Sequence, residues 1–251
     1  MADVVIQATN LSKELTVSLS RRKVRILSGL NLSVLKGETY GLIGPNGAGK
    51  TTSLKLMLGL LRPSEGSVEI LGEPAGHKGA LARLGYLPEN PYFYSHLTGR
   101  EFLDFAGELF GIPAKEKRER MAELIATVKL EAAADTQMRK YSKGMLQRLG
   151  IAQSLINRPE VIFWDEPMSG LDPIGRRDVR EILARLKETG TTIFFNSHLL
   201  PDVNDICDRV GVLNNGKLVA EDLIKNISAD GNYKDLEEYF LDAVSDKVRP
   251  A

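Results

Sequence analysis

The spacing of apolar residues changes along the chain, and each change predicts a different kind of element. Short β-type runs fill residues 3–8, 15–19 and 24–27, with the basic residues 21–23 as a charged hairpin tip between the last two. From residue 38 onward, apolar runs of strand length alternate with stretches of helical period. This order predicts an antiparallel β region at the start, followed by an α/β body.

One long helical stretch interrupts the α/β body. Strand-length apolar runs occur at residues 40–43, 68–71, 161–164 and 192–195. Runs without polar alternation are typical of parallel strands that are covered on both faces. Helical periods are predicted over residues 50–58, three times within residues 98–157, over residues 173–190, and within the last thirty residues. Thr98 and Glu101 fit a capping box, and Asn214-Asn215-Gly216 predicts a hairpin turn.

The balance of charge argues against bulk nucleic acid as the main partner. The chain has 33 Lys and Arg against 33 Asp and Glu, whereas neutralising phosphates requires a basic surplus. The single cysteine, Cys207, excludes an intramolecular disulfide. No apolar run approaches the length of a transmembrane helix, and no secretory signal is visible at the start. We therefore expect a cytosolic globular protein.

The strongest chemical signal is a glycine-rich loop between a predicted strand and a predicted helix. Residues 44–51 match the phosphate-binding pattern G-x-x-x-x-G-K-[ST]. Glycines let backbone N–H groups wrap around phosphate oxygens, and the helix presents the positive end of its dipole to the same anion. Lys50 adds a full charge, and Thr51 offers a hydroxyl to Mg²⁺. The candidate phosphate-binding residues are Gly44, Pro45, Asn46, Gly47, Ala48, Gly49, Lys50, Thr51 and Thr52.

A second chemical signal is the acidic pair Asp165 and Glu166, which follows a predicted buried strand. A carboxylate at the end of such a strand is placed beside a phosphate-bound metal, so Asp165 is the candidate to orient Mg²⁺. Glu166 is placed to polarise the water that attacks a terminal phosphate. An acidic pair after an apolar strand is common by itself, but together with the phosphate loop it predicts a nucleotidase.

The order of three further motifs narrows the class. A serine-glycine turn, YSKGM at residues 141–145, opens the third predicted helix of the insertion, SGLD at residues 169–172 follows the acidic pair, and His198 ends the next strand. In this order the motifs resemble the ATP-binding cassette (ABC) ATPases over residues 3–220, most specifically through GPNGAGKTT and DEPMSGLDP.

The resemblance implies an α/β fold of the P-loop NTPase class. Its core sheet is expected to be mainly parallel, with an N-terminal antiparallel β region and an all-helical insertion subdomain. The expected organisation is one ABC ATPase domain over residues 1–251, with the helical subdomain at about 90–158 and a C-terminal helical tail at about 222–251.

The resemblance also implies roles for the motif residues. The phosphate loop binds ATP, Asp165 supports Mg²⁺, Glu166 is the general base, and His198 senses the γ-phosphate. The residues implied to bind the ATP of a second copy, in a head-to-tail dimer with two ATPs between its subunits, are Ser142 and Gly144, with Asp172 at the same dimer seam.

Three positions depart from the family pattern. No aromatic residue precedes Tyr40, and Leu15 or Val17 stands where a ring usually stacks on adenine, so base binding is expected to be weaker or less selective. Glu89 stands where a glutamine commonly links the metal to the transport partner, and its carboxylate is a further candidate for Mg²⁺. Lys143 and Met145 replace the usual glycine and glutamine of the serine-glycine turn.

The implied partner is a membrane-spanning permease, because such cassettes usually drive one. The candidate docking residues are the consecutive aromatics Tyr92, Phe93 and Tyr94, whereas Phe102 and Phe105 are as consistent with a core as with a surface. Single-cassette length and the stretch YLPENPYFYSHLT are similar to ATPase subunits of ABC-2-type exporters. A homodimer, or a pair with a related cassette, is then expected at the inner face of the membrane, without nucleic acid.

Two other functions remain open from the sequence. One is a soluble ABC ATPase in cofactor assembly, such as iron–sulfur cluster building, without a membrane subunit. The other is a nucleotide-dependent regulator with little turnover, which the missing aromatic and the altered serine-glycine turn suggest.

Overall fold

The computed structural model describes residues 3–16, 23–229 and 231–245. Its strands are β1 (Val4–Thr16), β2 (Lys23–Leu35), β3 (Thr39–Ile43), β4 (Glu65–Ile70), β5 (Glu73–Pro74), β6 (Leu84–Leu87), β7 (Val161–Asp165), β8 (Thr192–Ser197), β9 (Arg209–Asn214) and β10 (Lys217–Leu223). Its α-helices are α1 (Lys50–Met57), α2 (Lys78–Leu81), α3 (Gly99–Leu109), α4 (Ala114–Thr127), α5 (Lys143–Ser154), α6 (Pro173–Glu188), α7 (Leu200–Ile206), α8 (Ile224–Ile227) and α9 (Leu236–Val244). The chain divides into a first unit, Met1–Leu81 with Thr192–Ala251, and a second unit, Ala82–Thr191.

The antiparallel sheet of the first unit confirms the predicted β region at the start of the chain. Its strand order is β2-β1-β4-β5. The three predicted short runs are wrong in length, because β1 and β2 are each 13 residues long. Register shifts between Ala8, Leu11 and Lys13 break the apolar alternation, which is why the pattern predicts separate pieces. Residues 17–22 of the predicted hairpin tip lie outside the described residues.

A second sheet of the first unit contains the predicted buried parallel strands. β3 pairs in parallel with β8 and β9, and β9 pairs antiparallel with β10 across the predicted turn at residues 214–216. Every residue of β3 and β8 is buried. Arg209 in β9 donates to both carboxylate oxygens of Glu38, just before β3, at 2.8 and 2.7 Å. This bidentate ion pair joins the start of β3 to its neighbour.

The second unit contains the predicted helical stretch as three helices, α3, α4 and α5. Two parallel strands, β6 and β7, pair from Leu84 with Val161 to Leu87 with Trp164. Trp164 is fully buried, and its indole N–H donates to Ser154 Oγ at 3.0 Å. The four-residue strand β6 is missing from the sequence prediction, because a run that short has no distinctive period. The unit also includes β6, β7 and α6, so it is wider than residues 90–158.

The predicted helix boundaries are mostly confirmed. Thr98 caps α3 in a capping box, with the Glu101 N–H donating to Thr98 Oγ1 at 3.2 Å and the Thr98 N–H donating to Glu101 Oε2 at 2.8 Å. That second bond lowers the pKa of Glu101. The predicted C-terminal helical tail contains α8 and α9. Elsewhere in the chain, α2 and α7 were not predicted. Across the described parts of the chain, none of the helices has the length and apolar character needed to cross a membrane.

Candidate functional site

The phosphate loop connects β3 to α1 in the first unit, as predicted. Its end requires glycine, because Gly49 caps α1 with a φ of 109°. An added Cβ at Gly49 would also lie 2.9 Å from Leu27 Cδ2 and 3.1 Å from the carbonyl oxygen of Ile26. The middle of the loop, residues 45–47, is exposed. The loop is therefore anchored at its end and open to solvent where a phosphate would approach.

Lys50 places its ammonium group inside the bend of this loop. The side chain is only 8% exposed, and Nζ donates to the carbonyl oxygens of Gly44 at 2.7 Å and Pro45 at 3.3 Å. Thr51 and Thr52 follow in the first turn of α1, half-buried. The loop thus holds a full positive charge close to its own backbone, at the place where a phosphate-binding loop of this pattern needs a cation.

His198 leaves the sheet beside the phosphate loop. In the parallel pairing of β3 with β8, Ile43 lies opposite Ser197, so Gly44 and His198 are the next residues at the same edge of the sheet. His198 is exposed, and the Leu199 N–H donates to Ser197 Oγ at 3.0 Å after the strand. The structure therefore brings together these two motifs of the first unit. The role of His198 as a phosphate sensor stays a prediction.

The acidic pair ends β7 in the second unit. Asp165 is 2% exposed and Glu166 8% exposed. Glu166 has a φ of 53°, in the left-handed region that residues other than glycine seldom adopt. Its carbonyl oxygen accepts the Ser169 N–H at 3.0 Å, and Gln147 donates to the Pro167 carbonyl oxygen at 3.0 Å. Strained backbone of this kind concentrates at functional sites, where the surrounding structure holds it.

Two residues near the acidic pair were not identified from the sequence. Burial raises the pKa of Tyr86 to about 12, and the negative charge of Asp165 contributes to the same shift. The buried polar side chain of Gln147 fixes the turn that follows Glu166. In the sequence, the only sign of this role was a polar residue, Gln147, at a helix position where an apolar residue would be expected. Glu89 lies in the exposed segment after β6.

The serine-glycine turn and the SGLD segment share one cavity in the second unit. Ser142 caps α5, where its Oγ accepts the Met145 N–H at 3.2 Å. Asp172 caps α6, where it accepts the Gly175 N–H at 2.7 Å. Both residues, with Gly144, line a cavity of about 300 Å³. The three residues predicted for the dimer seam are therefore brought together, although they come from two separate motifs.

The three consecutive aromatics point in different directions. Tyr92 is 93% exposed and Tyr94 51% exposed, whereas Phe93 is half-buried. The ring of Phe93 packs edge-on against Phe102, with centroids 5.0 Å apart. Phe102 is buried, and Phe105 is exposed beside Tyr94. Phe93 therefore has a packing role inside the unit, and docking through Tyr92, Phe93 and Tyr94 stays a prediction.

At the position predicted for adenine, Leu15 lies in β1 opposite Val24 in β2. Both side chains are about 40% exposed, at 42% and 38%. They form a small aliphatic surface where a ring would otherwise stack. Val17 lies outside the described residues.

Comparison with known proteins gives a consistent set of relatives. A family model described as ABC transporter matches residues 27–169. An uncharacterized ABC transporter ATP-binding protein of Nostoc sp. (strain PCC 7120) is 55% identical over 84% of this chain and 64% of its own length. The bacitracin transport ATP-binding protein BcrA of Bacillus licheniformis is 42% identical over 76% of this chain and 63% of its own length. The chain thus spans slightly less than two thirds of these relatives.

Solved structures extend the likeness to the fold. The structure of an ATP-binding subunit of an ABC transporter matches with a TM-score of 0.85 and 28% identity, over 95% of this chain and 99% of that one. The dimeric structure of a bacterial ABC transporter cassette matches with a TM-score of 0.80 and 25% identity, over 87% and 98% of the two chains. The stretch covered by the family model includes the phosphate loop, the serine-glycine turn and the acidic pair.

Proposed function

Because the chain belongs to the ABC transporter family, we propose that it binds and hydrolyses ATP as the nucleotide-binding subunit of a transporter. The observation that carries this proposal is the phosphate loop, with the Lys50 ammonium 2.7 Å from the Gly44 carbonyl oxygen and the middle of the loop exposed. ATP would approach this open side, so that backbone N–H groups and Lys50 surround its phosphates.

The donor atoms proposed for magnesium are all oxygens. The hydroxyl of Thr51 and the carboxylate of Asp165 are the ligand types that Mg²⁺ prefers, and it binds through few protein groups when phosphates supply the rest. Asp165 is the last residue of the fully buried strand β7, and it is itself only 2% exposed. Glu89, although exposed, offers a third carboxylate oxygen. When bound, Mg²⁺ neutralises phosphate charge during cleavage.

We assign the general base to Glu166. Glu166 is only 8% exposed, so its carboxylate is shielded from competing water, and it follows β7 with a φ of 53°. Glu166 would remove a proton from the water as that water attacks the γ-phosphate. His198, at the sheet edge next to the phosphate loop, would donate a hydrogen bond to the γ-phosphate and distinguish ATP from ADP.

Two copies would complete each ATP site. Ser142 and Gly144 would bind the ATP held by the other copy, and Asp172 would lie at the same seam. The shared cavity of these three residues supports the proposal, as does the dimeric state of a structural relative. ATP would close the dimer, and hydrolysis would reopen it.

The proposed partner is a membrane-spanning permease, with the protein at the cytoplasmic face of the membrane. The likeness to a bacitracin transport protein favours the ABC-2-type exporter group. Tyr92 and Tyr94, the most exposed aromatics of the second unit's described part, with Phe93 between them, are the proposed docking residues.

Glu166→Gln tests the assignment of the base. We expect ATP binding to be retained while hydrolysis slows by roughly 10²–10⁴, the usual contribution of a positioned general base. Phosphate release and equilibrium ATP binding are measured on the full chain, with and without permease. Turnover near that of the unmodified protein would remove Glu166 from this role, and absence of ATP binding by the unmodified protein would overturn the proposed function.

A further inference from the structure

Strand β2 lies against the end of the phosphate loop. An added Cβ at Gly49 would be 3.1 Å from the carbonyl oxygen of Ile26 and 2.9 Å from Leu27 Cδ2. The hairpin turn that follows β9 is fixed to the same part of the loop, because the Gly216 N–H donates to the Ala48 carbonyl oxygen at 3.0 Å. The start of β2 therefore has a fixed position beside the loop.

The two neighbours of β3 give a bound nucleotide its direction. In their sheet, β3 pairs with β8 on one side and with β9 on the other. His198, which is proposed to contact the γ-phosphate, follows β8, whereas β9 leads into the hairpin turn at residues 214–216. A triphosphate whose terminal phosphate lies towards His198 therefore has its nucleoside on the side of β9 and β2.

An exposed aliphatic pair, Leu15 and Val24, lies on that side. Val24 is two residues before Ile26 in β2, so its side chain is on the same face, roughly 7 Å along the strand. Leu15 in β1 pairs with Val24. Leu15 is 42% exposed and Val24 38% exposed, and Ile26 is half-buried. Covering this apolar surface with the flat face of a base would remove it from water, which is favourable.

The charged side chains next to the aliphatic pair are bonded to one another. Arg25 donates to Glu14 Oε1 at 2.9 and 3.2 Å, and it lies 3.3 Å from Glu65. The Lys23 ammonium lies 3.6 Å from Glu14. Because side chains alternate along a strand, residues 14, 23 and 25 belong to the opposite face from the pair. The pair itself therefore offers a base apolar contact only.

We propose that the base of the bound nucleotide covers Leu15 and Val24, and that the chain therefore accepts GTP as readily as ATP. This inference rests on the proposed function and names its substrate class, the purine nucleoside triphosphates. Apolar contact depends on the area of the ring face, which is similar in adenine and guanine. Strong discrimination requires polar groups that the wrong base would leave unpaired, and the two aliphatic side chains carry none.

The test uses the full chain with Glu166→Gln, so that hydrolysis is slowed while binding is measured. Isothermal titration calorimetry with Mg²⁺ compares three probes: ATP, GTP and inorganic tripolyphosphate, which has the phosphates but no base. In this background, Leu15→Ser removes apolar area, and Leu15→Tyr offers a ring for stacking. Leu60→Ser is the matched control, because Leu60 is another exposed leucine of the first unit.

We expect the parent to bind ATP and GTP with dissociation constants within about threefold of each other. Leu15→Ser should weaken the binding of both nucleotides by about threefold to tenfold and leave that of tripolyphosphate unchanged. Leu15→Tyr should strengthen the binding of both nucleotides by about threefold to tenfold, because a ring stacks on either purine. Leu60→Ser should equal the parent with all three probes.

Three results would overturn this inference. A larger preference for either nucleotide would show that an edge of the base is recognised, and unchanged nucleotide binding in both Leu15 variants would show that the base lies elsewhere. In these two cases the proposed function stands. A parent that binds none of the three probes would overturn the proposed function, and this inference with it.

Discussion

Lys50 and Glu166 are charged side chains with only 8% of their surface exposed. A charge at that depth is unfavourable unless polar groups replace the lost water. For Lys50 these groups are the carbonyl oxygens of Gly44 and Pro45, within the loop itself. The cation is therefore already in position before a phosphate arrives, so little rearrangement opposes binding.

Lys50→Ala removes the cation that is already in position for the phosphate. We expect ATP affinity to fall by about tenfold to a hundredfold, the effect of removing a charged hydrogen-bond donor from a phosphate site. Isothermal titration calorimetry with Mg-ATP measures it. Lys55→Ala, on the same helix α1, is the control and should leave the affinity unchanged. Equal affinity of Lys50→Ala and the unmodified chain would contradict the assignment of the loop.

At the scale of single elements, side-chain caps fix where three of the helices begin. The first residues of α3, α5 and α6 follow side-chain caps from Thr98, Ser142 and Asp172. Two of these caps, on α5 and α6, also lie in the proposed dimer seam. Their oxygen atoms satisfy N–H groups that would otherwise remain without partners, and they fix where each helix begins.

We expect the capping box of α3 to contribute measurably to stability. Thr98→Ala should lower the free energy of unfolding by about 1 kcal/mol, because the Glu101 N–H loses its acceptor. Urea unfolding followed by circular dichroism gives the value. Thr127→Ala is the control, since the Thr127 hydroxyl only donates to the Glu123 carbonyl oxygen within α4 and its loss should change stability by less than about 0.5 kcal/mol. If the Thr98→Ala variant were as stable as the control variant, the capping box would make no net contribution to the stability of the protein.

At the scale of the whole molecule, each compact unit contributes a different part of the proposed chemistry. The first unit supplies the phosphate loop and His198, and the second supplies the acidic pair and the serine-glycine turn. In the proposed mechanism, the residues assigned to hydrolysis are divided between the two units. In the proposed mechanism a permease uses the cycle of dimer closing and reopening, and the exposed aromatics of the second unit are its contact.

Tyr94→Ala tests that contact. An exposed aromatic that anchors an interface contributes about 2 kcal/mol or more, so we expect about thirtyfold weaker binding to the membrane subunit. Co-purification and a binding titration in detergent measure it. Leu60→Ala, an exposed apolar position of the first unit, should bind normally. Unchanged complex formation by Tyr94→Ala would count against docking at this surface.

The amino-acid sequence by itself determined the features that depend on neighbours along the chain. The phosphate loop, the capping box at Thr98 and the hairpin turn at residues 214–216 all follow from residue types at short spacing, because backbone conformation and capping are local properties. Buried parallel strands were also predictable, since continuous apolar runs lose their polar alternation.

Only the tertiary structure decided which distant residues meet. Phe93 packs inward while Tyr92 points to solvent, Lys143 lies across Gly170, and Ser142 shares a cavity with Asp172. The short strand β6 exists only because it pairs with β7. These features depend on packing between segments that are far apart in sequence, and no local period or spacing encodes such contacts.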